Sequence, residues 1–300
     1  MASVQMEHLK VTMQQMMAVG FAPRFDGQID PMQLRRTVQA AQERMPTEPG
    51  VSFIPKTWGG VECEISMPED AKEDYLILYI HGGGLICGNA FSSRGYASML
   101  AGETKRPVVS LSYRLAPEDP YPAGVEDCFA VYQALIADYP DTPIFLIGES
   151  GGAYLSLVTA MQARDKGVKL PAGVVPYSPP IEFYGRIDRR FEGNEDFTVT
   201  PEGMEWIGGV YVGEANKGET CAEPYYDDFH GLPPMLLAWD ANETLSVDSE
   251  IVVERLKNQG IEVEATAYPH CFHAFATVGR GTPESAEILA NTVAFFEKHS

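Results

Sequence analysis

The sequence lacks any apolar stretch of about 18 residues that is free of glycine breaks, and so it predicts no membrane-spanning helix. Basic residues are also scarce, because 22 lysines and arginines stand against 42 aspartates and glutamates. The resulting formal net charge is −20. A chain this acidic is not expected to bind nucleic acid or an anionic membrane surface, and it disfavours strongly anionic substrates.

Cysteines are few and show no pairing pattern. The chain has five, an odd number, and no C-x-x-C motif. The first ten residues have neither the basic start nor the apolar run of a secretory signal. These features favour free thiols in a reducing compartment, and we expect a cytoplasmic protein.

Internal repeats and low-complexity linkers are absent as well. We therefore expect one main domain, residues 49–300, preceded by a helical segment, residues 1–48. That segment is predicted to hold one helix with a methionine-rich face and a break at Gly20–Pro23. A second helix should follow from about Pro31 to Arg44, with Asp30 as its N-cap.

Strand and helix patterns alternate along the main domain. Strands are predicted near Val51–Pro55, Val61–Met67, Tyr75–Ile80, Val108–Ser112, Ile144–Ile147, Ala172–Tyr177, Pro234–Trp239 and Ile261–Tyr268. From the third strand onward, helices are predicted between them at Phe91–Glu103, Gly124–Ala137, Ala153–Arg164, Ser246–Gln259 and Pro283–Lys298. This alternation predicts an α/β fold with a mostly parallel, eight-stranded sheet that is flanked by helices.

One short motif points to a nucleophile. The run Gly148–Gly152 reads Gly-Glu-Ser-Gly-Gly, and it follows a buried strand and precedes a helix. The pattern G-x-S-x-G in this context is typical of a nucleophile elbow, a strained turn that projects a serine hydroxyl above the sheet. It predicts Ser150 as the nucleophile and the Gly151 N–H as a donor to the reacting carbonyl.

A second glycine motif follows the strand that ends at Ile80. The run His81–Gly84 reads His-Gly-Gly-Gly, and glycines there let backbone N–H groups turn toward a ligand. We predict that Gly82 and Gly83 supply oxyanion-hole donors together with Gly151. A dinucleotide loop is excluded, because Cys87 stands where G-x-G-x-x-G needs glycine.

With these motifs in place, the chain resembles the hormone-sensitive-lipase branch of the α/β-hydrolases, also called bacterial family IV esterases. The resemblance runs from about Tyr75 to the C-terminus. The run Tyr113–Glu118, with Pro122-Ala123 and Asp127, is similar to the family's YRLAPE…PA…D stretch, and the serine motif to its GDSAG. The resemblance implies an α/β-hydrolase fold, a Ser-acid-His triad and no cofactor or metal.

The triad acid has two candidates after the seventh strand, Asp240 and Glu243. The string Glu243–Ser249 aligns with the family's D/E-x-L-x-x-D, which places Glu243 on the catalytic acid. Asp240 remains the alternative. A glutamate suffices for the role, since the acid orients the imidazole and stabilises its charged form.

The base also has two candidates, His270 and His273. The family pattern is a histidine followed by an apolar helix start, which His273-Ala274-Phe275 fits. The resemblance therefore implies His273 as the base and His270 as a loop residue. As a pair they form H-x-x-H, but no further ligand nearby completes a metal site.

A long insertion, residues 183–228, interrupts the alternation after the sixth strand. Excursions of this length in a compact domain are usually functional. The resemblance implies that the insertion and the N-terminal helices form a cap over the active site. The residues expected to bind substrate are the cap aromatics Phe183, Tyr184, Trp206 and Tyr211, and His81, Gly84 and Leu85 beside the oxyanion hole.

The function that follows is hydrolysis of small esters with short acyl chains. Deacetylase, lactonase or amidase activity on the same machinery is an alternative, because pocket shape decides the leaving group. A non-catalytic receptor is a further alternative, since the resembled family contains receptors that lack the histidine. The expected partner is a small-molecule ester. The sequence does not determine the oligomeric state, and only analogy with similar enzymes suggests a homodimer.

Overall fold

The computed structural model describes residues 1–19, 24–26, 30–42 and 45–300. Within them one sheet of eight strands runs in the order β1-β2-β4-β3-β5-β6-β7-β8. The strands are β1 (Val51–Trp58), β2 (Val61–Pro68), β3 (Leu76–Ile80), β4 (Val108–Leu111), β5 (Ile144–Glu149), β6 (Gly173–Tyr177), β7 (Met235–Asp240) and β8 (Val263–Tyr268). Strand β2 pairs antiparallel with β1 and β4, and the remaining neighbours are parallel. The predicted α/β class and its eight-stranded, mostly parallel sheet are confirmed.

Helices cover both faces of this sheet. They are α1 (Val4–Ala18), α2 (Pro31–Gln42), α3 (Arg94–Thr104), α4 (Ala123–Asp138), α5 (Gly151–Asp165), α6 (Pro201–Ile207), α7 (Ser246–Asn258) and α8 (Pro283–His299). Helix α6 continues into a π-helical turn, Gly208–Val212. Among the described residues, none of the helices is both long and apolar enough to cross a membrane.

The core has two layers because side chains alternate across each strand. In β3, Leu76, Leu78 and Ile80 face the layer that also contains residues of α4, α5 and α7. Ile77 and Tyr79 face the opposite layer, which contains residues of α3 and α8. Both layers are apolar, so the central strands are buried on both sides, as parallel strands require.

The parallel strands end at one edge of the sheet, and the predicted catalytic segments follow them there. The glycine loop, His81–Gly84, comes directly after β3, and Ser150 lies between β5 and α5. Glu243 follows β7, and His273 follows β8. Crevices outside the carboxyl ends of strands are where open α/β sheets bind ligands.

The N-terminal segment has its methionine face only partly covered. Met6 is fully buried, whereas Met16 is 37% exposed. The reason is that α1 packs at the surface beside α8, where the Ser3 hydroxyl donates to Glu284. The predicted N-cap role of Asp30 is confirmed by hydrogen bonds from the N–H groups of Met32 and Gln33. The predicted break at residues 20–23 and the helix end at Arg44 lie outside the described residues.

Candidate active site

Ser150 occupies a strained turn. Its backbone has φ 53° and ψ −123°, a conformation that non-glycine residues rarely adopt. Its N–H donates to the Tyr177 carbonyl of β6 at 2.9 Å, which holds the turn against the sheet. Glycines flank it because a Cβ at Gly148 would lie 2.6 Å from the Ile80 carbonyl oxygen, and one at Gly152 would overlap that oxygen. The local sterics thus explain the sequence of the elbow, Gly148–Gly152.

The glycine loop packs directly on this elbow. Gly83 and Gly84 have φ values of 110° and 61°, which favour glycine. The N–H groups of Gly83 and Gly84 make no hydrogen bond within the described part of the chain, so they remain available to a ligand. Gly151 is the first residue of α5, and its N–H has no intrahelical acceptor.

The Gly82 N–H does not fit its predicted role as an oxyanion donor. It donates to Oε1 of Glu149 at 2.7 Å, and a Cβ at Gly82 would lie 2.7 Å from the Glu149 carbonyl oxygen. A donor already engaged by a carboxylate at this distance is not free to stabilise an oxyanion. Sequence reasoning missed this contact, because the motif shows which residues are glycine and not which acceptors surround them.

His81 was predicted to bind substrate, but the structure places it behind the loop. Its ring stacks on Tyr113 with centroids 4.3 Å apart, and it is 2% exposed. Nδ1 contacts the Gly82 carbonyl at 2.8 Å. Burial lowers the pKa of His81 to about 4, and the ring is therefore neutral. His81 therefore supports the backbone of the glycine loop, and its side chain does not line the cavity beside Ser150.

Glu243 and His273 are brought together. Oε2 of Glu243 lies 2.7 Å from Nδ1 of His273, and the two side chains are 0% and 8% exposed. Burial opposes the charged form of His273, but the charge and hydrogen bond of Glu243 outweigh it and hold the pKa of the imidazole above its ordinary value. Nε2 is buried without a hydrogen-bond partner among the described residues.

The two alternative candidates lie in other contacts. Asp240 accepts hydrogen bonds through Oδ1 from the N–H groups of Asn242 at 3.1 Å and Cys271 at 3.2 Å. It ties the turn after β7 to the turn after β8, and burial raises its pKa to about 7. His270 turns outward, where Nδ1 lies 3.2 Å from Glu195 of the insertion.

Asp196, which sequence reasoning missed, lies behind the Glu243–His273 pair. One carboxylate oxygen of Asp196, one of Glu243 and one ring nitrogen of His273 lie within 4.8 Å of one another. This is a spacing that metal ligands can have. The Asp196 oxygens, however, already accept from the N–H groups of Thr198 at 2.8 Å, Val199 at 3.0 Å and Thr244 at 3.1 Å. The donors present make it a hydrogen-bonding anchor between the insertion and the acid turn.

A small apolar cavity opens beside Ser150. Its volume is about 10 Å³, roughly the room for one water molecule. The lining residues are Phe25, Gly84, Leu85, Ser150, Gly151, Pro180, Phe183, Val199, Met204 and Ile207. The predicted residues Gly84, Leu85 and Phe183 thus lie on its wall.

Three of the predicted pocket aromatics are not on this wall. Tyr211 is 1% exposed and packs edge-on against Tyr154, so it joins the insertion to α5. The Tyr184 hydroxyl donates to the Gly208 carbonyl, and Trp206 packs partly buried against the core. The wall is instead completed by Phe25, whose N–H donates to the Thr198 carbonyl at 2.8 Å. A residue so far from the insertion in sequence carries no local signal of this contact.

Comparison with known proteins agrees with this fold. A family model described as an alpha/beta hydrolase fold matches residues 77–277. A solved hormone-sensitive lipase from a metagenome library is 30% identical with a TM-score of 0.85, and the match covers 91% of this chain and 94% of that chain. The chain belongs to the α/β-hydrolase fold family, in its hormone-sensitive-lipase-like branch.

Further relatives are esterases. An esterase of the bacterial hormone-sensitive lipase family is 28% identical with a TM-score of 0.90, and the match covers 100% of this chain and 99% of that chain. An esterase of Acinetobacter venetianus is 28% identical over 268 residues, 88% of each protein. An acetyl-hydrolase of Streptomyces hygroscopicus is 29% identical, over 78% of this chain and 79% of its own. The protein is a carboxylesterase, and the predicted family and enzyme class are confirmed.

Proposed function

We propose that the protein hydrolyses small carboxylic esters with short acyl chains through a triad of Ser150, His273 and Glu243. The observation that carries the proposal is the 2.7 Å contact between Glu243 and His273, at the same edge of the sheet as the strained serine. The electrostatic contribution of Glu149, the residue before Ser150, to the raised pKa of His273 supports the proximity of elbow and imidazole.

The arrangement suits a two-step acyl transfer. With Nδ1–H donating to Glu243, the neutral imidazole keeps its lone pair on Nε2, and Nε2 has no other partner among the described residues. Ser150 Oγ attacks the acyl carbon while Nε2 takes its proton, and the imidazolium then protonates the leaving alcohol. Water attacks the acyl-enzyme by the same route and releases the acid.

The tetrahedral oxyanion needs backbone donors. We assign this role to the N–H groups of Gly83, Gly84 and Gly151, because Gly84 and Gly151 lie on the cavity wall with Ser150 and none of the three is used by a described acceptor. Gly84 takes the place first given to Gly82, whose N–H is held by Glu149. Each such donor typically contributes about 3 kcal/mol to transition-state stabilisation.

Replacement of the nucleophile tests the triad. Ser150→Ala should lower kcat for 4-nitrophenyl acetate by about 10⁴ or more, while the circular dichroism spectrum and melting temperature stay the same. Ser156→Ala is the matched control, since Ser156 lies in α5, the helix that follows Ser150, and its hydroxyl donates to the Gly152 carbonyl. A fluorophosphonate should label wild type at Ser150 in a one-to-one ratio. More than a few per cent of activity in Ser150→Ala would refute the assignment.

A narrower candidate is the removal of acetyl groups. It is favoured by the 10 Å³ cavity and by the acetyl-hydrolase among the relatives. A series of 4-nitrophenyl esters from acetate to palmitate, read as kcat/KM, separates the two. We expect a maximum between two and six carbons and a steep fall by decanoate, because each buried methylene adds about 0.8 kcal/mol only until the pocket is full. Within that range, a maximum at acetate with a fall already at butanoate selects deacetylation, and a maximum at four to six carbons selects the broader short-chain esterase. A rise to twelve or sixteen carbons would contradict a closed cap.

A further inference from the structure

Glu149 is a buried acid at the centre of the site that the triad chemistry does not use. It precedes the nucleophile, at the end of β5. Its Oε1 accepts the Gly82 N–H at 2.7 Å, and its Oε2 is buried without a hydrogen bond among the described residues. No described lysine or arginine forms an ion pair with it. The charged form of a carboxylate in such surroundings is costly, because burial removes its water and no described lysine or arginine compensates for the loss.

The contact joins the two glycine motifs into one unit. A Cβ at Gly152 would meet the His81 carbonyl oxygen at 2.6 Å, and one at Gly82 would meet Oε1 of Glu149 at 3.0 Å. Elbow and loop therefore touch through backbone on one side and through the Glu149 carboxylate on the other. The Gly82 hydrogen bond sets the orientation of the His81–Gly82 peptide. The next peptide, Gly82–Gly83, carries the Gly83 N–H, which makes no hydrogen bond among the described residues.

We propose that Glu149 is a positioning residue: it holds the Gly82 N–H, and thereby aims the next N–H groups of the glycine loop at the oxyanion. This inference rests on the proposed function of Ser150 as the nucleophile. The ionised carboxylate accepts a stronger hydrogen bond than the protonated carboxyl does, since hydrogen bonds to an ionised partner are shorter and about twice as strong as neutral ones. The aim of the donors thus depends on the charge of Glu149.

The surroundings make that charge sensitive to pH. The titratable groups that face Glu149 from the elements around it are Tyr79 on β3, Tyr96 on α3, Tyr113 after β4, Tyr177 on β6 and His273 after β8. Burial raises the pKa of all four tyrosines, so they stay neutral. Burial raises the pKa of Glu149 to about 7, against the favourable Gly82 hydrogen bond and Tyr79 hydroxyl.

The fall of kcat/KM on the acid side of the pH profile, here called the acid limb, therefore has two contributions. As pH falls through 7, Glu149 takes up a proton and holds Gly82 less firmly, while His273 becomes protonated and stops acting as base. The negative charge of Glu149 also helps to raise the pKa of His273. Removing that charge should therefore remove one ionisation and shift the remaining one to lower pH.

Glu149→Gln tests the role directly, because glutamine keeps the shape and an acceptor oxygen but not the charge. We expect kcat for 4-nitrophenyl acetate at pH 9 to fall about tenfold with KM little changed, since only transition-state contacts are weakened. The Ki of a trifluoromethyl ketone, whose hemiketal oxyanion occupies the same hole, should rise by a similar factor. The acid limb of kcat/KM should move to lower pH and lose one proton. A merely structural role would leave kcat at pH 9 and the Ki at their wild-type values, because the limb also moves through the effect of the Glu149 charge on His273 alone.

Two further variants keep the test decisive. Tyr79→Phe removes a hydroxyl that favours the charged carboxyl, so the acid limb should move to higher pH with the pH 9 rate unchanged. Glu64→Gln is the control, since it also removes a buried negative charge, but on β2 against Arg94. It should leave both the limb and the Ki unchanged. If Glu149→Gln does not fold, the direction of the Tyr79→Phe shift decides alone.

The outcomes separate this proposal from the proposed function. Wild-type kcat and Ki in Glu149→Gln, or an unmoved or lowered limb in Tyr79→Phe, would overturn the positioning role. Fluorophosphonate labelling of Ser150 in wild type is read in the same experiment. If another residue is labelled, the triad assignment fails; if Ser150 is labelled and Glu149→Gln behaves as wild type, only the role of Glu149 fails.

Discussion

Two acids three residues apart can be separated by a matched pair of amide substitutions. Glu243→Gln and Asp240→Asn each remove one buried carboxylate from the turn after β7. Only Glu243 contacts the imidazole, at 2.7 Å from Nδ1 of His273. Asp240 instead accepts two backbone N–H groups, which an asparagine oxygen can still accept. The structure therefore predicts opposite results for two changes of the same chemistry.

The magnitude for Glu243→Gln follows from its contact. If the new amide nitrogen faces Nδ1, His273 is held in the tautomer that carries its proton on Nε2 and cannot act as base. That outcome costs on the order of 10⁴ in kcat, or about 5.5 kcal/mol. If the amide oxygen faces Nδ1, only the charge that stabilises the imidazolium is lost, and the cost is about 10². The fold should survive, because burial disfavours the charged form of Glu243.

The assay is kcat for 4-nitrophenyl acetate at pH 9 together with a thermal melt. We expect Asp240→Asn to stay within about threefold of wild type in kcat, since both of its hydrogen bonds persist. Asp240→Ala should keep much of its rate but melt earlier, because the buried Cys271 N–H loses its acceptor at about 1–3 kcal/mol and the part-buried Asn242 N–H loses the same acceptor. A Glu243→Gln enzyme with wild-type kcat beside an inactive, folded Asp240→Asn would transfer the acid role to Asp240.

Three further predictions concern the pocket, the base and the cap. Phe25→Ala should raise the hexanoate-to-acetate ratio of kcat/KM by about tenfold, since the space left by the ring accepts additional methylenes at about 0.8 kcal/mol each; an unchanged ratio would remove Phe25 from the acyl wall. The acid limb of kcat/KM should have its midpoint above pH 6.5, because Glu243 holds the pKa of His273 above its ordinary value and the protonated ring is inactive; a midpoint below 6 would contradict that pairing. Arg189→Met should lower the free energy of unfolding by about 3–5 kcal/mol, because it leaves the buried carboxylates of Glu182 and Asp248 without their cation. Arg190→Met, at an exposed position, is the control and should melt as wild type does.

The features that were predicted correctly are those that a few adjacent residues determine. The alternation of apolar runs and amphipathic segments is sufficient to place eight strands and most helices, since period and turn residues are local properties. The elbow around Ser150 is similar, because its glycines are required by steric clashes with neighbours only one strand away. The choice of Glu243 over Asp240 depended on the family's pattern, and the structure places only Glu243 at His273.

The residues of the cap that line the cavity could not be predicted from the sequence in this way. Four aromatics were expected at the pocket because they are large and lie in the insertion, but only Phe183 is on the cavity wall. Aromatic side chains bury well in any apolar layer, so their identity does not reveal which layer they join. Phe25 and Asp196 reach the site through contacts with residues distant in sequence or through backbone N–H groups, and neither kind of contact leaves a pattern in the chain.

The sequence by itself determined the mostly parallel sheet, the strained serine and the glycine loop, because backbone sterics and apolar periodicity act over a few residues. Only the tertiary structure decided which N–H groups stay free. Gly82 and Gly83 look equivalent in the sequence, yet one donates to Glu149 and the other makes no described hydrogen bond. The structure also decided that a wall of Phe25, Met204 and Ile207 leaves about 10 Å³ beside Ser150. Both outcomes depend on how segments far apart in the chain pack against each other, and that packing is the sum of many weak contacts.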